Sequence, residues 1–168
     1  VGLNIGRLQV NQQSLVFWDL GGASNLRSLW EKYTGEAHAL VYVVDASDHA
    51  RLAESREALH GLLARPELQD VPLLILANKQ DAGEALTPHE VESRFDLQQM
   101  LATGQPQSVL GCTALNGDGV QEGACWLADV LKERARGESG AARVAIARDL
   151  GMGRPSPARS FALRGAAE

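Results

Sequence analysis

The sequence predicts an α/β fold, a mostly parallel sheet with helices on both faces. Three observations carry that expectation. Two short uncharged apolar runs, Ala39–Val44 and Pro72–Ala77, suit strands buried on both faces. Segments with apolar residues spaced i, i+3, i+4, i+7 alternate with these runs. Gly, Pro, Asn and Asp punctuate the joins between them.

Taken in order, the first twenty residues read as a hairpin. Val1, Leu3 and Ile5 alternate with polar or small residues. Asn11-Gln12-Gln13-Ser14 is a polar turn, and Leu15-Val16-Phe17-Trp18 is a second strand. Gly21-Gly22 ends that strand, and Ser24 is a candidate N-cap for a helix carrying Leu26, Leu29, Trp30 and Tyr33. The run Ala39–Val44 ends in Asp45. Residues 51–63 have helical spacing through Leu52, Ser55, Leu59, Leu62 and Leu63, and the second buried strand follows at 72–77. Pro88–Met100 reads as one helix and Val109–Cys112 as a short strand. Val120–Arg136 is a helix with Trp126, Leu127, Val130 and Leu131 on one face.

Residues 137–168 change character. They hold eight alanines and five arginines against three acidic residues, and Gly151-Met152-Gly153-Arg154-Pro155-Ser156-Pro157 suits no regular helix. The expectation is one domain over 1–136 and a mostly disordered tail over 137–168, with one or two helical turns in Ala141–Leu150.

Composition narrows the function. At 168 residues, with 45 % apolar and 22 % charged side chains, the chain suits one globular domain plus a tail, not a collagen or a coiled coil. Its apolar runs fall far short of the ~20 residues a membrane span needs, and no signal-peptide pattern opens it. The net charge of −5 argues against a nucleic-acid groove. Cys112 and Cys125 lack C-x-x-C spacing and read as reduced thiols of a cytosolic protein. His38, His49, His60 and His89 show no metal-ligand spacing. The chain opens on Val1 rather than methionine, so a preceding segment is expected.

In open α/β sheets, ligands bind at the carboxyl ends of the strands. Three motifs follow predicted strands. Asn78-Lys79-Gln80-Asp81 suits a guanine base. One carboxylate, Asp81, can accept from N1–H and the exocyclic amine together. Asn78 can donate to N7 and bond neighbouring loops, and the stem of Lys79 can lie over the ring. Adenine lacks both donors on that edge. Asp19-Leu20-Gly21-Gly22 suits a phosphate end. Gly22 lets backbone approach a γ-phosphate, and Asp19 can hold Mg2+ through water. Cys112-Thr113-Ala114 offers a backbone N–H to guanine O6. As separate motifs, the first equally suits a polar loop and the second an ordinary turn.

Their order and spacing resemble small GTP-binding proteins. Trp18-Asp19-Leu20-Gly21-Gly22, Leu29-Trp30-x-x-Tyr33, Ala77-Asn78-Lys79-Gln80-Asp81 and Gly117-Asp118-Gly119 resemble the Arf branch of the Ras superfamily. Val1-Gly2-Leu3-Asn4-Ile5-Gly6, Arg51-Leu52-Ala53-Glu54-Ser55 and Cys112-Thr113-Ala114-Leu115 are more similar to its ADP-ribosylation-factor-related members. The resemblance covers about residues 1–136. It implies a Ras-like P-loop GTPase fold and a GTP/GDP switch in Golgi membrane traffic, with Mg2+ in a complete protein. It implies an exchange factor, a GTPase-activating protein and membrane-traffic effectors as partners. It also implies a cytoplasmic protein, peripheral at Golgi or trans-Golgi membranes through a segment before Val1. Leu3, Trp18 and Tyr33 match the branch's exposed apolar effector trio; plain core is the competing reading.

The sequence departs from this pattern in three places. No G-x-x-x-x-G-K-[ST] phosphate loop occurs in the 168 residues. The Mg2+-closing threonine of the first switch falls before Val1. Ala23 stands where the family has a water-orienting glutamine, so no catalytic residue is assigned. The fold is therefore expected to lack the family's first strand, phosphate loop and first helix. That strand is central in the family's sheet, so the strands at 13–18 and 39–45 are expected to face a gap with unpaired backbone groups. The alternative function is a non-catalytic pseudo-GTPase module that keeps the guanine and effector surfaces without a phosphate site.

Overall fold

The computed structural model describes residues 3–22, 27–101, 104–135 and 142–148. A hairpin opens it. β1 (Leu3–Val10) pairs antiparallel with β2 (Gln13–Leu20) around a two-residue turn. Both turn residues, Asn11 and Gln12, have positive φ (49° and 66°). Such a turn follows the natural twist of the two strands.

The rest alternates as the periodicity predicts. α1 (Ser28–Thr34) leads to β3 (Ala39–Asp45), α2 (Leu52–Leu63) to β4 (Leu73–Asn78), and α3 (Pro88–Arg94) and α4 (Leu97–Met100) to β5 (Gln107–Gly111). α5 (Val120–Arg134) follows, and then β6 (Ala142–Arg148). The expected single helix over 88–100 is two. Phe95 is fully buried, and Asp96 takes a left-handed φ of 50° and pairs with Arg56. The break turns the chain so that Phe95 and Leu97 both reach the core. α3 begins with a capping box. Thr87 Oγ1 accepts the Glu90 N–H at 3.3 Å, and the Glu90 carboxylate accepts the Thr87 N–H at 2.8 Å.

The sheet order is β1-β2-β6-β3-β4-β5, parallel throughout except for the β1–β2 pair. The expected gap between 13–18 and 39–45 does not exist: β6 fills it and pairs with both neighbours. Two expectations for the tail are corrected here. Residues 142–148 form a strand, not helical turns, and the sheet runs past the domain end expected at 136. The physical reason is pairing. Alanine favours helix in isolation, but two open strand edges offer these residues a full ladder, and context overrides propensity. Of residues 137–168, only 142–148 are described; Ala23, Ser24 and Leu26 also lie outside the described residues.

Two cores flank the sheet. One gathers Leu20, Trp30, Tyr42, Leu59, Phe95 and others beneath α1 to α4; the second gathers Leu15, Val41, Leu74, Leu127, Leu131 and Val144 beneath α5. Buried Tyr42 donates its hydroxyl to the Ser55 carbonyl at 3.0 Å, so the polar tip is satisfied. Among the described residues, no helix is long and apolar enough to cross a membrane.

α5 starts at Gly119, whose φ is +73°, and a Cβ there would stand 2.1 Å from the Gly111 carbonyl oxygen. A left-handed side chain alone costs about 1–3 kcal/mol, and the clash with backbone adds to it. Gly119→Ala is therefore expected to destabilise the fold by more than about 3 kcal/mol, measured by urea denaturation. A loss under 1 kcal/mol would mean that the close approach at β5 is not as described.

Candidate functional site

Because β2 to β6 run parallel, their carboxyl ends share one rim. Across it stand Asp19, Arg148, Asp45, Asn78 and the loop after Gly111. Asp19 and Gly22 sit at one end of this rim. Asn78, Lys79, Asp81, Cys112, Thr113 and Ala114 sit together at the opposite end.

That second end is braced. Asn78 Oδ1 accepts the Ala114 N–H at 2.9 Å and the Cys112 thiol at 3.5 Å. The Cys112 N–H donates to the Ala77 carbonyl at 3.0 Å, and the Gln80 N–H to the Cys112 carbonyl at 3.1 Å. Gln80 Nε2 closes the loop on itself through the Ala77 and Leu86 carbonyls. Lys79 is held at a φ of 68°, a conformation that persists in a non-glycine residue only when its surroundings fix it. One such constraint is Asp45, whose carboxylate meets Lys79 Nζ at 2.5 Å. Beyond Ala114, the Thr113 N–H donates to the Asp118 carbonyl at 2.9 Å, and Asn116 bonds Asp118, which stiffens the second loop. Asp81 stands exposed at the open side, with no partner among the described residues.

Two groups here have shifted acidity. Burial raises the Asp45 carboxyl, but hydrogen bonds from Lys79 and Ser47 and the Lys79 charge outweigh it and hold the group below its ordinary value. A carboxyl so lowered stabilises the fold above its unfolded value, and that contribution fades as pH falls through the folded one. Burial alone pushes the Cys112 thiol up to about 11.

The opposite end is arranged differently. Trp30 Nε1 donates to the Gly21 carbonyl at 3.0 Å, Arg27 Nε donates to the carbonyl of buried Gly22 at 3.3 Å, and Arg27 meets Glu54 at 2.7 Å. Asp19, expected to face Mg2+, is instead ion-paired with Arg148. Its Oδ1 and the Arg148 Nε are buried without a partner among the described residues. So arranged, Asp19 does not fit a divalent cation: a guanidinium already holds the charge that the metal would meet. No group of three His, Cys, Asp or Glu among the described residues could hold a metal ion.

Leu3, Trp18 and Tyr33 come together on the α1 side of the hairpin. All three are half-buried. Trp18 meets Tyr33 edge-on at 5.6 Å, and Leu3 and Tyr33 both pack on the core beneath α1. Arg143 of β6 lies over the Trp18 ring at 5.9 Å.

Sequence reasoning missed Asp45, Gln80 and Arg148 at the rim. Asp45 carried a signal, a carboxylate ending a buried strand. Arg148 carried none, since its place depends on pairing across 129 residues of chain.

The model of the ADP-ribosylation factor family matches residues 1–131. The chain is 42 % identical over 127 residues to ADP-ribosylation factor-related protein 1 of Rattus norvegicus, across 76 % of this chain and 63 % of that one. It is 37 % identical over 133 residues to ADP-ribosylation factor-like protein 1 of Saccharomyces cerevisiae, across 79 % of this chain and 72 % of that one. The chain thus spans 63 % of the length of the factor-related relative. Among solved structures, the Arl6 BBS3 small GTPase of Trypanosoma brucei, with bound nucleotide analogue GppNp, matches with a TM-score of 0.73. The identity is 32 %, over 79 % of this chain and 81 % of that one. None of these likenesses favours a non-catalytic module.

The Cys112 surroundings make a chemical prediction. A thiol reacts as its thiolate, and a pKa raised from 9.0 to about 11 leaves roughly a hundredfold less thiolate near pH 8. Iodoacetamide at pH 8 is therefore expected to label Cys125 and spare Cys112 in the folded chain, with the Cys112 rate climbing as pH approaches 11. Peptide mass mapping reads both sites. Equal rates at pH 8 would contradict the burial of Cys112.

Proposed function

The chain belongs to the ADP-ribosylation factor family of small GTPases, and from that premise we propose that it recognises guanine nucleotide at the carboxyl rim and works as a GTP/GDP switch. One observation carries this reading: Asn78 staples its own loop to Ala114 and Cys112. The staple leaves the Asn78 amide nitrogen for a base. It also orders the backbone of Cys112-Thr113-Ala114 on one side and Asp81 on the other. An exposed carboxylate without a partner among the described residues suits the paired donors of guanine, and adenine would leave it unmatched.

We place the protein at the cytoplasmic face of Golgi membranes, with exchange factors, activating proteins and membrane-traffic effectors as partners. Family membership supports this, and so does the cluster of Leu3, Trp18 and Tyr33, a half-exposed apolar patch of the kind a partner covers. Hydrolysis is expected to be slow and to depend on an activating partner, because the Ala23 methyl cannot orient a water. A fluorescently tagged form that includes the coding sequence upstream of Val1 and still stays diffuse in cells would remove the Golgi assignment.

Base selectivity is tested on the chain itself, without reliance on phosphate contacts. Guanosine monophosphate is expected to shift the amide resonances of residues 78–81 and 112–114, and adenosine monophosphate is not. In Asp81→Asn the preference should pass to xanthosine monophosphate, whose carbonyl replaces the amine of guanine. A preference change of at least tenfold is expected, about 1.4 kcal/mol, as for one charge-assisted pair. Unchanged selectivity takes Asp81 out of the base site.

A further inference from the structure

A lysine stem makes a steady platform for a flat ring when both of its ends are fixed. The backbone end of Lys79 is fixed by its own loop. Its φ is 68°, the Gln80 N–H donates to the Cys112 carbonyl at 3.1 Å, and the Ala82 N–H donates to the Lys79 carbonyl at 2.9 Å. The far end is fixed from a different strand. Asp45 is paired in register with Asn78 at the end of β3, and its carboxylate meets Lys79 Nζ at 2.5 Å.

Asp45 is itself held. Its Oδ1 accepts the Ser47 N–H at 3.1 Å and the Ser47 hydroxyl at 2.7 Å, which leaves Oδ2 for Nζ. The turn that carries Ser47 is bonded in its turn to the base loop. The Ala46 N–H donates to the Asn78 carbonyl at 3.1 Å, the Leu86 N–H donates to the Ala46 carbonyl at 2.9 Å, and His49 Nε2 meets the Glu84 carbonyl at 2.7 Å. The Asp45 side chain is 14 % exposed and that of Lys79 is 52 % exposed. A sheltered, fixed acid therefore holds a half-exposed, intrinsically flexible cation. Holding it in the free protein removes rotamer freedom that a ligand would otherwise have to remove on binding.

We propose that Asp45 is a positioning residue of the base site: through Nζ it holds the Lys79 stem as a platform for the guanine ring, and Ser47 holds Asp45 for that task. Asp45 need not touch the base. The inference rests on the proposed function, because it assigns a further residue to the same site. Its sign is distinctive. A negative charge on the rim works by itself against an anionic nucleotide, whereas a positioning residue works for it.

The test measures binding of guanosine monophosphate to the full chain through the amide shifts of residues 112–114. Asp45→Asn keeps an oxygen for Ser47 and turns an amine toward Nζ, donor against donor. It is expected to weaken binding about fivefold; on charge alone it would strengthen it. Lys79→Met keeps an unbranched stem and frees it from Asp45, and the same loss is expected. Lys79 is half-exposed, so this second variant decides the matter if Asp45→Asn does not fold. The two changes together are expected to lose no more than either alone. A spectroscopic reading accompanies these. The Lys79 methylene protons should move upfield in the ring current of the purine in the unsubstituted chain, and not in Asp45→Asn. Unchanged or tighter binding by Asp45→Asn overturns the proposal. So do full binding by Lys79→Met and losses that add in the double variant. Selectivity at Asp81 is read separately. If Asp81→Asn leaves it unchanged, the base-site reading falls; if it shifts while Asp45→Asn binds as before, the role of Asp45 alone falls.

Discussion

A backbone N–H or C=O at the centre of a covered sheet has no water to turn to, and leaving it unpaired costs on the order of a lost hydrogen bond. That constraint acts most sharply between β2 and β3. Both strands are covered by helices, and neither can reach the other, because each is paired in parallel to β6. Everything on the rim inherits its position from this arrangement. Asp19 stands one residue before the end of β2 and Asp45 ends β3, and the width of one strand separates them. Asn78 and the loop after Gly111 then follow across β4 and β5.

The rim is electrically balanced from within. Asp19 meets Arg148, and Asp45 meets Lys79. These two pairs differ in what they do. Lys79 and Asp45 belong to contiguous parts of the domain, and their pairing helps hold a left-handed lysine in a loop braced on every side. Arg148 reaches Asp19 only because β6 is inserted. One end of the rim is therefore fixed by neighbouring strands and their loops, and the other by the last residue of β6.

Much of this was legible in the sequence. β3 and β4 declared themselves through the uncharged apolar runs 39–44 and 72–77, and α2 and α5 through regular 3.6-residue spacings. The members of the two-loop cluster, Asn78, Lys79, Asp81 and Cys112 to Ala114, were legible because a short loop after a strand must lie at its carboxyl end. What escaped notice had a common cause. Asp96 breaks a helix because Phe95 and Leu97 both have core positions to fill, and no local pattern encodes that. Gln80 braces its loop through carbonyls, which have no sequence signature. Arg-Val-Ala-Ile-Ala-Arg has the alternation of a strand, yet its alanines and arginines equally suit a helix turn, and only an open slot elsewhere in the chain decides between them.

Magnitudes indicate what holds β6 in the sheet. Ordering seven residues costs about 1–2 kcal/mol each in backbone freedom. Burial of a valine or isoleucine contributes about 1.5–3 kcal/mol, and an alanine methyl well under that. With Ala142, Ala145 and Ala147 making up so much of the strand, side-chain burial alone cannot offset the ordering. The balance must come from ladder bonds on both edges, at about 0.5–1.5 kcal/mol each, and from the Arg148–Asp19 contact. The side chains of β6 add two fits of their own: methyl groups in the core that holds Trp30 and Tyr42, and a cation opposite Asp19.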